Sequence, residues 1–325
     1  MVAAAALAAV AASGCGGASP AASGQSQAGG GPGSPTAAAS SGGAATRTPG
    51  PTATRTPSPT ASGQSAATVD LRVVFVDVGQ GDATALRSGS WSGLVDGGPA
   101  GSEAAVDAAL VRLGVRRLDV LVVSHQHADH TGGLPALVKR YRPRVVWLTD
   151  KAEGALASAL RSAGTVVKRV RRGVTARFGK AKATVIAPGG LSGDANTDSI
   201  VLLVQAGGRR LVLTGDSTGR GEAAAGASLA RGPPVDVLKV AHHGSRSSTT
   251  SGFVAGARPR VAVISVGRNS YGHPTDEVVQ RLREAGARVY STQKHGSVTL
   301  SVTSRGRLRW GFSRASRPLT HGVGR

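Results

Sequence analysis

Cysteine and aromatic residues are scarce in this sequence. The 325 residues include one cysteine, three tryptophans, three tyrosines and four phenylalanines. A single thiol excludes an internal disulfide and any zinc site built on several thiolates. The shortage of aromatic rings argues against a surface on which successive bases of a single nucleic-acid strand would stack. A metal site or a nucleic-acid surface must therefore be built from other side chains.

Acidic residues are also few, with 18 Asp and Glu against 39 Lys and Arg, which gives a formal net charge of +21. Every acidic residue lies at Asp70 or beyond, as do all the basic residues except Arg47 and Arg55. An excess of this kind favours a polyanionic partner such as DNA. An arginine-rich coding bias would produce the same count without such a partner.

The N-terminal part of the chain, residues 1–68, has no apolar periodicity beyond a short Ala/Val/Leu run. That run is followed by Ser13-Gly14-Cys15-Gly16, which resembles the lipobox of bacterial lipoproteins, where the cysteine becomes acylated. We therefore expect a signal segment at 1–15 and an extracellular protein anchored to the membrane through lipid alone. An ordinary cleaved signal peptide is the alternative. Residues 16–68 are rich in Ala, Ser, Gly, Pro and Thr and predict a disordered tether.

Strand-like and helix-like patterns alternate from Asp70 onwards. Strands are predicted at 71–78, 83–87, 91–95, 119–123, 144–148, 165–170 and 183–187 in a first half, and at 199–205, 209–214, 235–240, 260–266, 288–290, 297–302 and 308–312 in a second. Helices are predicted at 102–113, 134–141 and 153–163, before about residue 230, and at 275–285. Two such halves predict an α/β domain over 69–313 with two facing sheets and outer helices, followed by a basic tail at 314–325.

The stretch Ser124 to Leu134, SHQHADHTGGL, directly follows an apolar strand. His125 and His127 lie two residues apart, so an extended loop can direct both to one ion, and Asp129 and His130 then face a second ion. Imidazole and carboxylate are the usual ligands of divalent metals near neutral pH. The loop therefore predicts a pair of divalent ions that activates water.

Two further polar motifs follow apolar strands in the second half. Asp216 ends the sequence LTGD, where a carboxylate can bridge two ions. The pair His242 and His243 follows residues 235–240. One of these imidazoles can complete the second ion site while the other orients it or contacts substrate. The sequence leaves open which of the two binds metal.

These motifs, HQHADH, LTGD and HHGS, together resemble the metallo-β-lactamase fold. The flanking stretches VDVGQGDA, LVDGG, DVLKVAHHGSRSS and PRVAVISVGRNSYGHPTDEVVQRL resemble the C-terminal extracellular domain of ComEC, the competence DNA-uptake channel. The resemblance covers roughly residues 71–312 and implies a four-layer αββα sandwich. Since the channel region of ComEC has no counterpart here, we expect a free-standing hydrolase domain with a DNA-uptake channel as a candidate partner.

The resemblance also implies roles for individual residues. The implied metal ligands are His125, His127, Asp129, His130, Asp216 and His242 or His243. Asp82 and Asp96 match carboxylates that orient ligands, with turn capping as the alternative. The wider fold supplies a third histidine to the first ion from a region that here has none, so Asn196 or Asp198 is expected to replace it. A site richer in oxygen suits manganese or magnesium as well as zinc, and is expected to bind its ion weakly.

His273 in the sequence YGHP matches the ComEC pattern too, and is expected to reach the leaving group or a phosphate. A helix-entry turn without chemistry is the alternative. Five more basic side chains lie near the motifs and are expected to be mainly solvated: Lys239, Arg246, Arg268, Lys294 and His295. They could also contact phosphate.

A metal-dependent phosphodiesterase that cleaves DNA is the function predicted by these patterns, with Asp216 aligning the attacking water. A hydrolase of small esters or lactones would use the same site. A DNA receptor that keeps the fold but has lost its catalytic site is a further alternative. A receptor would bind DNA with salt-sensitive affinity and leave it intact, whereas a small-molecule hydrolase would not bind it.

Overall fold

A computed structural model of the chain describes residues 67–314. The predicted signal segment, almost all of the tether and the tail beyond residue 314 lie outside this range, so those expectations stay predictions. Within residues 67–314, no helix combines the length and the apolar character needed to cross a bilayer.

The described chain alternates between short strands and helices. The strands are β1 (Val69–Phe75), β2 (Thr84–Ser88), β3 (Trp91–Val95), β4 (Val120–Val122), β5 (Val145–Leu148), β6 (Val166–Arg169), β7 (Thr175–Phe178), β8 (Ala181–Ala187), β9 (Val201–Ala206), β10 (Arg209–Leu213), β11 (Val237–Lys239), β12 (Val261–Ile264), β13 (Arg288–Ser291), β14 (Val298–Thr303) and β15 (Leu308–Phe312). The helices are α1 (Glu103–Arg112), α2 (Ala128–Thr131), α3 (Leu134–Tyr141), α4 (Gly154–Ser162), α5 (Gly219–Ala230), α6 (Ser251–Ala257), α7 (Asp276–Glu284) and α8 (Thr292–His295).

Two sheets form the centre of the domain. One has the order β15-β14-β1-β2-β3-β4-β5-β6, and the other has the order β13-β12-β11-β10-β9-β8-β7. Inward-facing side chains such as Phe75, Phe178 and Leu202 form one buried cluster between them. A second cluster lies between the first sheet and helices α1, α3 and α4, and a third lies between the second sheet and helices α5, α6 and α7. The predicted four-layer αββα sandwich is therefore confirmed.

The division of strands between the sheets differs from the two halves predicted from sequence order. Strand β8, expected to complete the first half, belongs to the second sheet, and β7, which was not predicted, pairs with it. Strands β14 and β15 return to the first sheet, where β14 pairs antiparallel with β1. β14 pairs with the edge of β1 that β2 leaves free. Local hydrophobic patterns do not show which distant strand will pair with such an edge.

Parallel strands determine where the polar motifs lie. β3 to β6 run parallel in the first sheet, and β10 to β13 run parallel in the second. Their carboxyl ends deliver the HxHxDH loop, LTGD and HHGS. Active sites of layered α/β folds collect at such strand ends because the loops there are free to carry polar side chains.

A close approach of α5 and α6 gives a first testable prediction. A Cβ added to Gly256 would lie 2.5 Å from the carbonyl oxygen of Gly226, whereas one added to Gly252 in the same helix would meet nothing within 4 Å. We expect Gly256→Ala to lower the free energy of unfolding by about 1–3 kcal/mol through overpacking. The control Gly252→Ala should raise it by up to about 1 kcal/mol through helix propensity. Urea unfolding measures both, and equal effects would contradict the packing argument.

Candidate metal centre

The HxHxDH loop changes conformation halfway along its length. His127 has an extended backbone with φ −70° and ψ 151°, and the short helix α2 begins at the next residue. His127 therefore lies on extended backbone, while Asp129 and His130 lie on the helical turn. The sequence reasoning did not predict this turn, because four residues are too few to show helical periodicity.

A group of carboxylates and imidazoles, all buried except the half-buried Asp129, forms at the strand ends of the two sheets. His130 Nε2 lies 3.2 Å from Asp216 Oδ1. His243 Nε2 lies 3.0 Å from Asp129 Oδ2 and 3.4 Å from Asp216 Oδ2. Asp216 and His243 are distant in sequence from the adjacent Asp129 and His130, and the fold brings all four to within ion-pair distance.

This group fits a divalent metal ion. His130 Nε2 and Asp216 Oδ1 are buried, and because their 3.2 Å contact lacks hydrogen-bond geometry, neither has a hydrogen-bond partner among the described residues. The same is true of Asp82 Oδ1. An unsatisfied buried polar atom costs about 1–3 kcal/mol, so such atoms are rare without a ligand. Ligand atoms around one tetrahedral zinc ion lie roughly 3.3 Å apart. Atoms of Asp82, His130, Asp216 and His243 all lie within 4.8 Å of one another, which is compatible with coordination of an ion after small adjustments.

The charges of this group suit metal binding. Burial opposes the charge on Asp216, but His130 and His243 hold its pKa well below the usual value. Burial also opposes protonation of His243, yet Asp216 and Asp129 raise its pKa to about 9. In the metal-free protein, a proton on His243 therefore balances the carboxylates. A metal ion would replace that proton, as is usual when imidazole becomes a ligand.

A second set of donors also lies close to the carboxylate of Asp216. His125 Nε2 is 4.0 Å from Asp216 Oδ2, and His242 Nε2 is 3.8 Å from the same oxygen. The ring centroids of His125 and His127 are 4.6 Å apart. His125 Nε2 and Asn196 Oδ1 are buried atoms without a hydrogen-bond partner in the described chain. Burial lowers the pKa of His125 well below its usual value, so its imidazole is neutral and can donate a lone pair to a metal.

The adjacent histidines His242 and His243 are separated by the backbone. Both have left-handed conformations, with φ of 49° and 53°, which non-glycine residues seldom adopt. His243 is buried and its Nδ1 lies 2.9 Å from the carbonyl oxygen of Ser265, which directs Nε2 to the carboxylates. The His242 side chain is 25% exposed and lies beside the open pocket. The structure thus places His243 in the buried group and His242 on the side of His125.

Asp96 orients His130 through Nδ1, the ring nitrogen that does not face Asp216. Its Oδ2 lies 2.9 Å from His130 Nδ1, and it accepts hydrogen bonds from the Ser124 amide at 2.8 Å and the Ser124 hydroxyl at 2.7 Å. This contact leaves Nε2 of His130 as the atom that faces Asp216. Metal-binding histidines commonly contact a carboxylate through their other nitrogen.

Asp82 belongs to the centre more closely than the sequence predicted. Its Oδ2 forms an ion pair with Lys239, whose Nζ also donates to the carbonyl oxygen of Gly215 at 3.2 Å. Lys239 is 2% exposed, so the expectation that it is a solvated charge is wrong. The same expectation is wrong for His295, which is fully buried. Lys239 is the last residue of β11, a central strand, and a lone cation in the apolar run VLKV was the available signal.

The two predicted replacements for the missing histidine lie in different environments. Asn196 lines the same pocket as His127 and Asp216. The carboxylate of Asp198 instead accepts hydrogen bonds from the Ser192 amide and hydroxyl at 2.7 Å and from the Gly193 amide at 3.0 Å. The Asp198 carboxylate is thus occupied by hydrogen bonds within its own loop, whereas Oδ1 of Asn196 has no hydrogen-bond partner in the described chain.

An open pocket of about 690 Å³ gives access to these donors. Its inner wall includes His127, Asp129, Asp216 and both histidines of HHGS, and its rim is the segment from Arg268 to His273. Nδ1 of His273 is buried without a hydrogen-bond partner in the described chain. Burial lowers the pKa of His273, so a neutral imidazole faces the pocket near neutral pH. Arg246, Arg268 and Lys294 are exposed, as expected.

Three curated relatives of this chain are competence and recombination proteins. ComE operon protein 3 of Bacillus subtilis is 30% identical over 203 residues, which are 60% of this chain and 26% of the relative. Competence protein ComA of Neisseria gonorrhoeae is 32% identical, with 70% of this chain and 31% of the relative covered. Recombination protein 2 of Haemophilus influenzae is 32% identical, with 70% and 28% covered. The chain thus spans about a quarter to a third of the length of these relatives, and the ComEC-like resemblance is confirmed.

The fold occurs in solved structures with low sequence identity. CmlA, a diiron β-hydroxylase from Streptomyces venezuelae, matches with a TM-score of 0.52 and 17% identity, covering 72% of this chain and 54% of that chain. This likeness shows the fold alone. The sequence profile of the Metallo-beta-lactamase superfamily matches residues 76–268, which contain the HxHxDH loop, LTGD and HHGS. The chain belongs to the metallo-β-lactamase superfamily.

Proposed function

We propose that this protein is a metal-dependent phosphodiesterase that cleaves DNA outside the cell. The family supports a metal-dependent hydrolase in general. The observation that carries the finer proposal is the placement of Asp216 between two sets of unsatisfied donors at the base of an open pocket. The competence and recombination proteins among the relatives support DNA as the substrate.

Two ions, zinc or manganese, are proposed because two sets of donors surround the carboxylate of Asp216. His130 faces Oδ1 of Asp216 at 3.2 Å, while His243, His242 and His125 face Oδ2 at 3.4, 3.8 and 4.0 Å. His130, His243 and Asp129 form one set. His125, His127, His242 and Asn196 form the other. Such ions, when bound, supply Lewis-acid stabilisation of a phosphoryl oxygen and lower the pKa of water.

The residues of the chain then position the substrate for hydrolysis. Asp216 lies centrally and can orient the attacking water through its carboxylate. His273 presents a neutral imidazole at the rim, where it can bind a phosphate oxygen or the leaving group. Both roles require a substrate that fills the pocket from the solvent side.

A basic segment supports a polyanionic substrate. Lys168, Arg169, Arg171 and Arg172 lie at and just beyond the carboxyl end of β6, which runs parallel to β5 at the edge of the sheet that carries the HxHxDH loop. Among the described residues, none of the four forms an ion pair with a carboxylate. Unpaired cations at this edge can bind phosphates without sequence preference.

The proposed cellular location is outside the membrane. Cys15 lies outside the described residues, and its lipobox-like context supports a lipid anchor with the hydrolase domain on a tether outside the membrane. A DNA-uptake channel is the proposed partner, because competence proteins are among the relatives.

Cleavage of linear DNA tests this function. The purified chain, supplied with zinc or manganese, should cut DNA, and His127→Ala and Asp216→Ala should each reduce the rate by about 10³-fold or more, since metal-ion stabilisation contributes several kcal/mol. Glu284→Ala, which removes an exposed carboxylate at the end of α7, is the control and should retain full activity. Metal content is measured on each variant.

The outcomes separate the alternatives. If neither metal supports cleavage but DNA binds with salt-sensitive affinity, the protein is a receptor. If DNA neither binds nor is cut while a small ester is hydrolysed, the small-molecule alternative holds. Either result would overturn the nuclease proposal.

A further inference from the structure

Tyr271 differs from every other aromatic residue of this chain. Its side chain is 73% exposed. The other phenylalanines, tyrosines and tryptophans all belong to the buried clusters or pack against them. Core packing therefore explains the positions of the other aromatic residues but not that of Tyr271.

The exposed ring lies at the rim of the metal-centre pocket. Tyr271 lines this pocket together with Asp216, His242 and His273. Its ring centroid is 5.8 Å from that of His273, with the planes inclined by 31°. The contact with His273 holds the ring on one side, and the high exposure leaves most of its surface free for a ligand.

The backbone that carries Tyr271 is held in place by one side chain. Asn269 Oδ1 accepts hydrogen bonds from the amides of Tyr271 at 3.1 Å and His273 at 3.0 Å. Asn269 Nδ2 donates to the carbonyl oxygens of Gly267 at 2.9 Å and His273 at 2.8 Å. All these bonds lie within a few residues, so the turn keeps its shape without a ligand. A preorganised aromatic ring loses little conformational freedom on binding.

We propose that Tyr271 stacks on an unpaired nucleobase next to the phosphate that occupies the metal-centre pocket, a proposal that rests on the proposed phosphodiesterase function. A flat ring at the rim of the pocket that leads to the metal-centre donors matches a nucleotide, in which a base and a phosphate are joined through a sugar. Stacking tolerates any base because every base has a π-face. Inside a duplex both faces of each base are covered by its neighbours, so the ring selects single-stranded or frayed DNA.

Binding measured without cleavage tests the proposal. The full chain is loaded with zinc or manganese at low salt, and fluorescence anisotropy measures its affinity for a labelled single-stranded thymidine oligonucleotide whose phosphorothioate linkages resist cleavage. Tyr271→Ala should weaken this affinity by about five- to 150-fold, the range reported by alanine substitution for one stacked base. Tyr271→Phe keeps the ring and should bind within about twofold of the wild type.

Two ligand controls isolate the base. An oligonucleotide of equal length with abasic sites keeps the phosphates, and a blunt duplex keeps its bases covered. The affinity for either should be the same for the wild type and Tyr271→Ala. If Tyr271→Ala binds the thymidine strand like the wild type, or weakens all three ligands by one factor, the stacking proposal is overturned. Failure of the metal-loaded protein to cleave unmodified DNA would overturn the nuclease function. The binding measurements would still show whether Tyr271 stacks on a base.

Discussion

Replacing Lys239 with methionine is expected to lower the free energy of unfolding of the metal-free protein by about 3–5 kcal/mol. The ammonium group of Lys239 is buried with the carboxylate of Asp82, and both side chains are less than 5% exposed. Removing the cation leaves a buried negative charge that has lost its partner. Loss of one member of a buried ion pair is costly because the remaining charge is neither hydrated nor neutralised.

Urea unfolding in the presence of a chelator measures this effect. Lys151 provides the control, because it forms an ion pair with Glu153 at 3.8 Å while both side chains are more than two-thirds exposed. Lys151→Met should change stability by less than about 1 kcal/mol. The double variant Asp82→Asn with Lys239→Met should be more stable than Lys239→Met alone, because the uncompensated charge is gone. Equal losses for the two lysine variants would show that burial of the Asp82 pair does not matter.

Substituting Asp96 with asparagine is expected to weaken metal binding by about 10- to 100-fold, the usual effect of losing a carboxylate behind a metal-binding histidine. Asp96 contacts His130 Nδ1 at 2.9 Å and thereby directs Nε2 towards Asp216. An amide in its place carries no charge and can present its NH₂ group to the ring. Titration calorimetry with zinc or manganese measures the affinity directly.

Asp119 offers a matched control for Asp96. It accepts a hydrogen bond from the Ser92 amide at 2.9 Å, much as Asp96 accepts one from Ser124, but no histidine lies against it among the described residues. Asp119→Asn should therefore affect stability without changing metal affinity. Activity of Asp96→Asn should recover in excess metal if it follows occupancy. A metal affinity of Asp96→Asn equal to that of the wild type would contradict the orienting role.

Local patterns in the sequence were sufficient for much of the fold. The bounds of α3 and β15 match their predicted ranges because an amphipathic period and a short β-rich run are properties of neighbouring residues. Helices α2, α6 and α8 were not predicted. Two of them are four residues long, and α6 has the sequence SGFVAGA, whose glycines hide a helical period. The pairing of β14 with β1 joins the two ends of the domain and has no local signature.

The sequence by itself determined the donor types, since HxHxDH, LTGD and HHGS fix which imidazoles and carboxylates follow which strands. Only the tertiary structure decided how they are arranged around Asp216, with His130 at one oxygen and His125, His242 and His243 at the other. It also placed Lys239 in the interior and Tyr271 at the pocket rim. The physical reason is that chemical identity is encoded residue by residue, whereas burial and distance depend on the packing of two sheets from distant parts of the chain.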